Sequence, residues 1–261
     1  MRVDDLRDIL IALGITKNDK ILVSSDVIKL IIQIVEGDQS KLRDKVTMTH
    51  LLDEIIDCFK DIVGNGGTLL FPTFFWGFCK GKTFDYSKTQ GQTGSLSNRA
   101  LSRNDFKRTS HPIYSFAVWG EGADEILDLQ NKSSFGYDSP FAWLHKNQGK
   151  QFYIDAIGFT FLHYVEEMFG VSYRYLKDFT SEYIDYKGNL STRTYSMYVR
   201  DLNLNFIVSK EGLYRVLLEH NSMKIINLNN IEFGLIPFSS AYDALKDEIL
   251  NNQSKNLMHW L

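Results

Sequence analysis

The sequence has few of the features that mark metal-binding, secreted, membrane or nucleic-acid-binding proteins. Only two cysteines occur, Cys58 and Cys79, and their spacing fits no metal site, so we expect a reducing compartment, no disulfide framework and no metal. The net charge of −3 gives no electrostatic footprint for DNA or RNA. No apolar run approaches the roughly 20 residues of a membrane span. The start, MRVDDLRDIL, lacks a signal peptide's basic and apolar regions, and we predict a soluble cytoplasmic protein.

The first half of the chain alternates between helix and strand patterns. Its 261 residues are 44% hydrophobic, which is enough for one large domain or for two lobes that share a core. VDDLRDILIALG and THLLDEIIDCFKDIV have helical spacing, whereas DKILVSSDV, TLLFPTF, YSFAVWG and FYIDAIG (152–158) are typical of strands. This order predicts an α/β fold with a mostly parallel central sheet flanked by helices, and ligand sites at the carboxyl ends of its strands.

From about Ser181 the pattern changes to shorter alternating segments. YIDYKGNLSTRTYSMYVRDLNLNFIVS has turn signals at KGN and DLN, which predict antiparallel hairpins. A helix around GLYRVLLEHN, a strand in SMKIINLNN and a helix in SAYDALKDEILNNQ follow. No proline- or serine-rich linker separates the halves. We therefore predict an α/β core in residues 1–180 and a C-terminal α+β lobe in residues 181–261 that packs on it.

The segment TFLHYVEE places a histidine near the start of a predicted helix, directly after the strand FYIDAIG. Thr160 is a good N-cap for this helix. Glu166 at i+3 and Glu167 at i+4 can each share a face with His163. A carboxylate on one imidazole nitrogen fixes the tautomer and leaves the other nitrogen to accept a proton. The spacing alone also fits a solvated histidine–glutamate pair on a helix surface.

Six segments in the same order resemble motifs of the aminoglycoside 3-N-acetyltransferases and their relatives. They are NGGTLLFPTF (65–74), TGSLSNRAL (93–101), RTSHPIYSFAVWG (108–120), SSFGYDSPFAWL (133–144), TFLHYVEE (160–167) and VSYRY (171–175). Thr109 stands where serine is usual, and the resemblance covers about residues 5–200. Each segment is weakly specific, but six in the right order indicate membership of this family.

The resemblance implies direct transfer of an acyl group from a coenzyme A thioester to an amine. An ammonium has no lone pair, so a base must remove a proton before or during the attack. The resemblance assigns this role to His163, with Glu166 as the orienting carboxylate and Glu167 as the alternative partner. Backbone amides at the helix start or the Thr160 hydroxyl are candidate donors to the oxyanion. Neither cysteine matches a nucleophile position, and we expect no acyl-enzyme and no metal.

Six side chains are predicted to contact coenzyme A, and each also has a structural interpretation. They are Ser24 and Ser25 at a strand end, Arg108 with a guanidinium suited to phosphate, and Ser110, His111 and Ser115 in the SHP segment. The structural interpretations are strand-end capping, an ion pair, and a histidine packed on the following proline. For the acceptor we predict contacts from Asp26, Phe75, Trp76, Tyr173 and Arg174.

The first strand departs from the family pattern, which bears on the acceptor. VSSDV (23–27) has Ser24 where the family often has histidine, and Asp26 follows where serine is common. Basic residues near aromatic ones follow the active-site segment, at Arg174, Lys177, Lys187, Arg193, Arg200 and Lys210. They favour an anionic, ring-bearing acceptor, although charge runs are usually solvated faces.

The predicted reaction is therefore N-acylation of a nucleotide-linked amino-deoxysugar, with dTDP as the expected nucleotide, in surface-polysaccharide (lipopolysaccharide O-antigen) biosynthesis. The expected acyl donor is acetyl-CoA or hydroxybutyryl-CoA. One alternative is an aminoglycoside 3-N-acetyltransferase that confers antibiotic resistance. A second alternative is a catalytically inactive binding protein with the same fold. The sequence leaves the oligomeric state open.

Overall fold

The computed structural model describes residues 1–156 and 158–260. The helices are α1 (Val3–Leu13), α2 (Ile28–Ile34), α3 (Gln39–Arg43), α4 (Lys45–Val63), α5 (Ser95–Ser102), α6 (Ala123–Leu127), α7 (Pro140–Lys146), α8 (Phe161–Phe169), α9 (Lys210–Glu219) and α10 (Phe238–Asn251). The strands are β1 (Lys20–Ser25), β2 (Thr68–Pro72), β3 (Phe84–Asp85), β4 (Lys107–Arg108), β5 (Phe116–Gly120), β6 (Lys150–Ile154), β7 (Arg174–Ile184), β8 (Leu190–Arg200), β9 (Phe206–Val208), β10 (Lys224–Leu228), β11 (Ile231–Pro237) and β12 (Met258–Trp260).

One large sheet within the described residues has the strand order β10-β11-β6-β1-β2-β5-β4. Its centre is parallel, because β1 pairs in parallel with both β2 and β6. The outer strands β11, β10, β5 and β4 join antiparallel. The predicted α/β class with a parallel sheet is confirmed at this centre, and the three parallel strands end at the same edge of the sheet.

Period-2 alternation along the central strands explains why helices cover both faces of this sheet. In β1, Ile21 and Val23 face a core formed mainly with α1, α4 and α5, whereas Leu22 faces the core that contains α7, α8 and α10. All three side chains are at most 2% exposed. Full burial of such a side chain contributes about 1.5–3 kcal/mol, so neither face can be left uncovered.

The C-terminal lobe predicted for residues 181–261 shares strands with the core in this structure. The antiparallel hairpin is present, but its first strand, β7, begins at Arg174 and runs through residues 180 and 181. Strand β11 pairs with β6 and extends the central sheet, together with β10. The predicted boundary at residue 180 therefore falls inside a strand, and residues on both sides of it complete one sheet.

Helix α8 lies where the sequence predicts it, whereas strand β6 begins and ends earlier than the predicted strand of residues 152–158. The strand covers Lys150–Ile154, and Ile157, the sixth residue of the predicted FYIDAIG strand, lies outside the described residues. Among the described residues, no helix has the length and apolar character needed to cross a membrane.

Candidate active site

Helix α8 follows the end of β6 and carries His163 in its first turn. Thr160 is the N-cap, although its side chain makes no capping hydrogen bond, and Gly170 ends the helix in the left-handed conformation with φ 58°. Phe161, Leu162, Tyr164 and Val165 are buried in the core. Burial of this apolar face leaves the His163 side chain, which is 27% exposed, on the other side of the helix.

Glu166 holds the imidazole of His163, which resolves the open choice between the two glutamates. His163 Nδ1 and Glu166 Oε2 are 2.8 Å apart. Glu167 instead accepts a hydrogen bond of 2.8 Å from the Ser133 hydroxyl. Because Glu166 occupies Nδ1, the other ring nitrogen, Nε2, remains as the position that can accept a proton.

Arg174 is the second partner of Glu166, a role that the sequence analysis did not predict. Its Nε lies 2.6 Å from Glu166 Oε2, and the side chains of Arg174 and Glu166 are only 6% and 1% exposed. Burial raises the pKa of the Glu166 carboxyl, but the hydrogen bond to His163 and the charges of His163 and Arg174 outweigh this, and the pKa lies below its ordinary value. Glu166 is therefore a carboxylate at neutral pH and can orient His163.

A cavity of about 360 Å³ lies beside His163, and we call it the basic cavity. Its lining includes Arg174, Arg200 and Lys210, with Tyr214 and Leu213 from α9. In the sequence, Arg200 and Lys210 belong to a basic run that predicts no specific site position for either. Their common position at this cavity could not be predicted from their spacing in the sequence. The elements that carry them, β8 and α9, meet here only after the hairpin has folded back.

A second cavity, of about 340 Å³, lies at the carboxyl ends of the parallel strands, and we call it the serine cavity. Ser24 and Ser25 from β1, Trp76 and Phe74 line it. Thr160 and Gly158 border both cavities. Two of the predicted coenzyme A residues and the predicted Trp76 therefore lie in one cavity, and Thr160 lies between it and the basic cavity.

The structure buries three of the predicted coenzyme A residues in the core, which supports their structural interpretation. Arg108 is 4% exposed, stacks 4.5 Å from the Phe84 ring centroid and donates to the backbone carbonyl of Thr73 at 3.1 Å. Its Nε also donates to the Ser115 hydroxyl at 3.1 Å, and burial lowers the pKa of Arg108 to about 10. With their polar groups engaged inside the protein, Arg108 and the fully buried Ser115 cannot reach a ligand.

His111 is the third of these buried residues and fits the structural interpretation. It is 1% exposed, and its Nδ1 accepts a hydrogen bond of 3.1 Å from the Tyr114 amide. Its ring lies edge-on to Tyr195 at 4.8 Å, and burial lowers the pKa of His111 to about 3. The imidazole therefore stays neutral and serves packing.

The remaining predicted residues lie in different places, some exposed and some packed inside the protein. Asp26 is exposed, and its carboxylate accepts a hydrogen bond from the Ile28 amide at the start of α2, outside the described lining of both cavities. Ser110 accepts a hydrogen bond from Tyr183 through its carbonyl. Phe75 packs on a core ring, and the Tyr173 hydroxyl is buried against Ser254. These positions do not support direct contact with either substrate.

The start of α8 offers fewer oxyanion donors than the sequence suggested. The amides of Leu162 and His163 donate to the carbonyls of Phe159 and Thr160, at 3.1 and 3.0 Å. Both donors are therefore occupied. The Phe161 amide and the hydroxyl of Thr160, a residue that borders both cavities, remain candidate donors. No group of metal-ligating side chains occurs among the described residues.

An imidazole held by a buried carboxylate, beside a cavity that adjoins a second one, is an arrangement suited to base-catalysed group transfer. The comparison with protein families assigns the class, and the enzyme is an acyl-CoA-dependent N-acyltransferase. The chain belongs to the aminoglycoside 3-N-acetyltransferase family, whose model matches residues 39–247. A comparison with curated protein sequences finds no match.

Solved structures share the fold over nearly the whole chain. The AAC-IIIb structure, a binary complex with CoASH, is 18% identical with a TM-score of 0.76, and the alignment covers 97% of each chain. The YokD protein from Bacillus subtilis is 18% identical with a TM-score of 0.73, covering 98% of this chain and 96% of that one. AAC-VIa bound to sisomicin is 16% identical with a TM-score of 0.75, covering 97% and 98%. At these identities the likeness shows the fold alone.

Proposed function

We propose that this enzyme transfers an acyl group from acyl-CoA to the amine of a nucleotide-linked amino-deoxysugar, with dTDP as the expected nucleotide. The observation that carries the proposal is the position of His163, which is held at Nδ1 by Glu166 and borders a cavity rich in cationic side chains. His163 is the general base in this proposal, and Glu166 is its positioning residue.

The proposed reaction is a direct transfer in which His163 moves one proton. The ammonium first releases one proton to solvent. The resulting neutral amine attacks the thioester carbonyl as a second N–H proton passes to Nε2 of His163, and the negative charge gathers on the carbonyl oxygen. Collapse of this intermediate breaks the C–S bond, forms the amide and releases the coenzyme A thiolate, which takes the proton back. A positioned base of this kind commonly contributes about 10²–10⁴-fold in rate.

The two cavities suggest where each substrate binds. The acceptor amine must lie within hydrogen-bond reach of His163, which lines the basic cavity. The serine cavity is left for the pantetheine arm, with Ser24 and Ser25 as polar contacts and Trp76 as an apolar wall. The thioester then meets the amine near Thr160, which borders both.

The charge of the basic cavity favours an anionic acceptor. Arg174 is neutralised by Glu166, but within the described part of the chain no ion pair to a carboxylate engages Arg200 or Lys210. No described residue that lines this cavity is acidic. A diphosphate would gain charge-assisted hydrogen bonds here, whereas a polycationic aminoglycoside would meet like charge.

A true aminoglycoside acetyltransferase is the second candidate, and family membership favours it. Relatives of this fold have been solved with CoASH and with sisomicin. Both candidates share the acyl-CoA donor and His163, so only the acceptor separates them. The acyl group, acetyl or hydroxybutyryl, is a further open variable of the same reaction.

A substrate panel tests the proposal. Acetyl-CoA and hydroxybutyryl-CoA are each offered with dTDP-linked amino-deoxysugars and with aminoglycosides, and released thiol is measured. We expect turnover with the nucleotide sugars and loss of about 10²–10⁴-fold in kcat for His163→Ala, with the fold intact. Turnover of aminoglycosides alone refutes the acceptor assignment. No turnover with any amine supports the inactive binding protein.

A further inference from the structure

The segment of residues 252–260, which we call the strap, supports one wall of the basic cavity. Its strand β12 pairs antiparallel with β9, so that Met258 is opposite Val208, a residue that lines the cavity. The Leu257 carbonyl accepts a hydrogen bond of 2.9 Å from the amide of Ser209, the N-cap of α9. The strap therefore contacts the backbone of β9 and the start of α9 directly.

Helix α9 also lies on the strap at Gly212. A Cβ at this glycine would be only 1.7 Å from the Asn256 carbonyl oxygen, so the two backbones pack without a side chain between them. Lys210, Leu213 and Tyr214, on either side of Gly212 in the sequence, all line the basic cavity. Because α9 begins against the strap, a shift of the strap would move these three side chains.

The carboxylate of Glu248, in α10, holds the turn with which the strap begins. The Asn252 side chain donates to both of its oxygens, at 3.0 and 2.9 Å. Asn256 donates its backbone amide to Oε1 at 2.8 Å and its side-chain amide to Oε2 at 3.0 Å. Glu248 is 5% exposed, and a buried carboxylate is costly unless it is well hydrogen-bonded. The strap supplies all four of the described bonds to this carboxylate.

The turn has a backbone conformation that requires such support. Gln253 and Ser254 lie in the left-handed region, with φ of 55° and 58°, where residues other than glycine are uncommon. Such a conformation persists only where surrounding contacts hold it. The Glu248 carboxylate bonds to residues on both sides of this pair, and the Glu248 carbonyl accepts from the Ser254 amide at 2.9 Å. Loss of the carboxylate should therefore loosen the turn and the strap that follows it.

We propose that Glu248 is a positioning residue for the acceptor: its carboxylate holds the strap, and the strap fixes the side chains of β9 and α9 that line the basic cavity. Glu248 is not among the described residues that line this cavity, so its effect must pass through the strap. The inference rests on the proposed function, because it requires the amine substrate to occupy the basic cavity. His163 is carried by α8, and the serine cavity lies at the ends of the parallel strands, so kcat and acetyl-CoA binding should change little.

The first experiment replaces Glu248 with glutamine, which keeps the size of the side chain but leaves one acceptor oxygen in place of two. We expect Glu248→Gln to raise the KM for the amine that the panel shows to be acylated about 3- to 10-fold, with kcat and the acetyl-CoA KM within about twofold. Asn252→Ala leaves the two bonds from Asn256 in place and should raise the amine KM less, by about 2- to 3-fold. This milder variant carries the test if Glu248→Gln does not fold.

Asp247→Asn is the matched control, since it makes the same change at the neighbouring position of α10. The Asp247 carboxylate is 56% exposed and accepts a hydrogen bond of 2.5 Å from Asn251 in the same helix. Its other described contact is with His220 at 3.8 Å, outside the strap. Its replacement should leave kcat and both KM values within about twofold.

Hydrogen exchange tests the connection through the strap. In Glu248→Gln, the amides of residues 206–214 should exchange faster than in the wild type, because this segment is held by the strap, whereas those of α8 should exchange at the same rate. Unchanged exchange in residues 206–214 together with a raised amine KM would show that Glu248 acts by another route, and it would overturn the inference.

The kinetic outcomes distinguish this inference from the proposed function. An unchanged amine KM in both variants, with the nucleotide sugars still acylated, overturns the inference alone. Equal rises in both KM values, or a fall in kcat without a change in the amine KM, indicate general destabilisation and overturn it as well.

Two other results bear on the proposed function itself. A rise in the acetyl-CoA KM instead of the amine KM shows that the basic cavity holds the donor, and it overturns both. Turnover of aminoglycosides alone refutes the acceptor assignment, and the same comparison with the aminoglycoside as acceptor then decides the inference.

Discussion

Replacement of Glu166 by glutamine tests the central pair of the site most directly. The substitution keeps the size of the side chain and one oxygen acceptor but removes the charge. Glu166 is 1% exposed, and Arg174, 2.6 Å away, is 6% exposed. The variant therefore leaves a buried guanidinium without its anion, while His163 loses the charged partner of its Nδ1.

The expected loss of stability follows from these two contacts. Removing one partner of a buried ion pair costs about 3–5 kcal/mol. Glutamine can retain one hydrogen bond worth about 1 kcal/mol, which leaves a loss of about 2–4 kcal/mol. For a chain of this size this corresponds to a fall in Tm of roughly 4–16 °C. We expect kcat to fall about 10- to 100-fold, less than the loss in His163→Ala, because the base is still present but is no longer oriented.

Urea unfolding, thermal melts and thiol-release kinetics measure these effects, and Glu167→Gln is the matched control. Glu167 bonds only to Ser133 at 2.8 Å among the described contacts, and burial raises the pKa of its carboxyl. Its replacement should cost less than about 1 kcal/mol and leave kcat within about threefold. If both variants behave alike, Glu166 does not hold His163 and the reasoning fails.

The pH dependence of stability gives an independent readout of the same pair. The pKa of Glu166 is lowered from 4.5, so its ionised form stabilises the fold above pH 4.5, and this contribution is lost as the pH falls through the lower folded pKa. Glu166→Gln lacks this contribution, and its free energy of unfolding should fall less steeply below pH 4.5 than that of the wild type. Parallel curves would contradict an ion-paired Glu166.

Three further predictions concern the core and the cavity walls. Arg108→Met should lower the free energy of unfolding by about 3 kcal/mol or more while the acetyl-CoA KM stays within twofold. A variant of unchanged stability with a raised acetyl-CoA KM would instead support a contact between Arg108 and coenzyme A. Arg200→Gln and Lys210→Gln should each raise the KM for a nucleotide sugar about fivefold at 50 mM salt and less at 500 mM, and an effect insensitive to salt would argue against charge recognition. Gly212→Ala places a Cβ 1.7 Å from the Asn256 carbonyl and should cost about 1–3 kcal/mol in urea unfolding, so an unchanged midpoint would contradict this packing.

Local pattern predicted the elements of this fold better than their assembly. Helix α8 was predictable because its apolar spacing, its position after a strand and its terminal glycine all lie within a dozen residues. The placement of β11 beside β6 was not, because it depends on a contact between segments about 80 residues apart. The hairpin was predicted from its turn signals, but the same signals could not show that the following strands would return to the central sheet.

The site shows the same limit. Helical spacing allowed His163 to pair with Glu166 at i+3 or with Glu167 at i+4. The choice is decided by the 2.8 Å contact to Glu166 and by the bond that Glu167 makes to Ser133 instead. The burial of Arg108 and His111 was not predictable, because arginine and histidine in a motif are equally compatible with ligand contact and with a satisfied core position. Their burial depends on the packing of the whole core, which no local spacing reports.

The two requirements of the reaction come from different parts of the chain. The motif segments that resemble the family end at Tyr175 and contain the proposed base His163, its carboxylate Glu166 and Thr160. The cationic and tyrosine side chains that border the basic cavity on its other side, Arg200, Lys210 and Tyr214, follow later in the chain. Proton removal from an amine needs only the first group, whereas the choice of amine depends on the charge and hydrogen-bonding groups of the second. The motif segments therefore indicate the reaction, whereas the choice of acceptor depends on side chains that follow them in the chain.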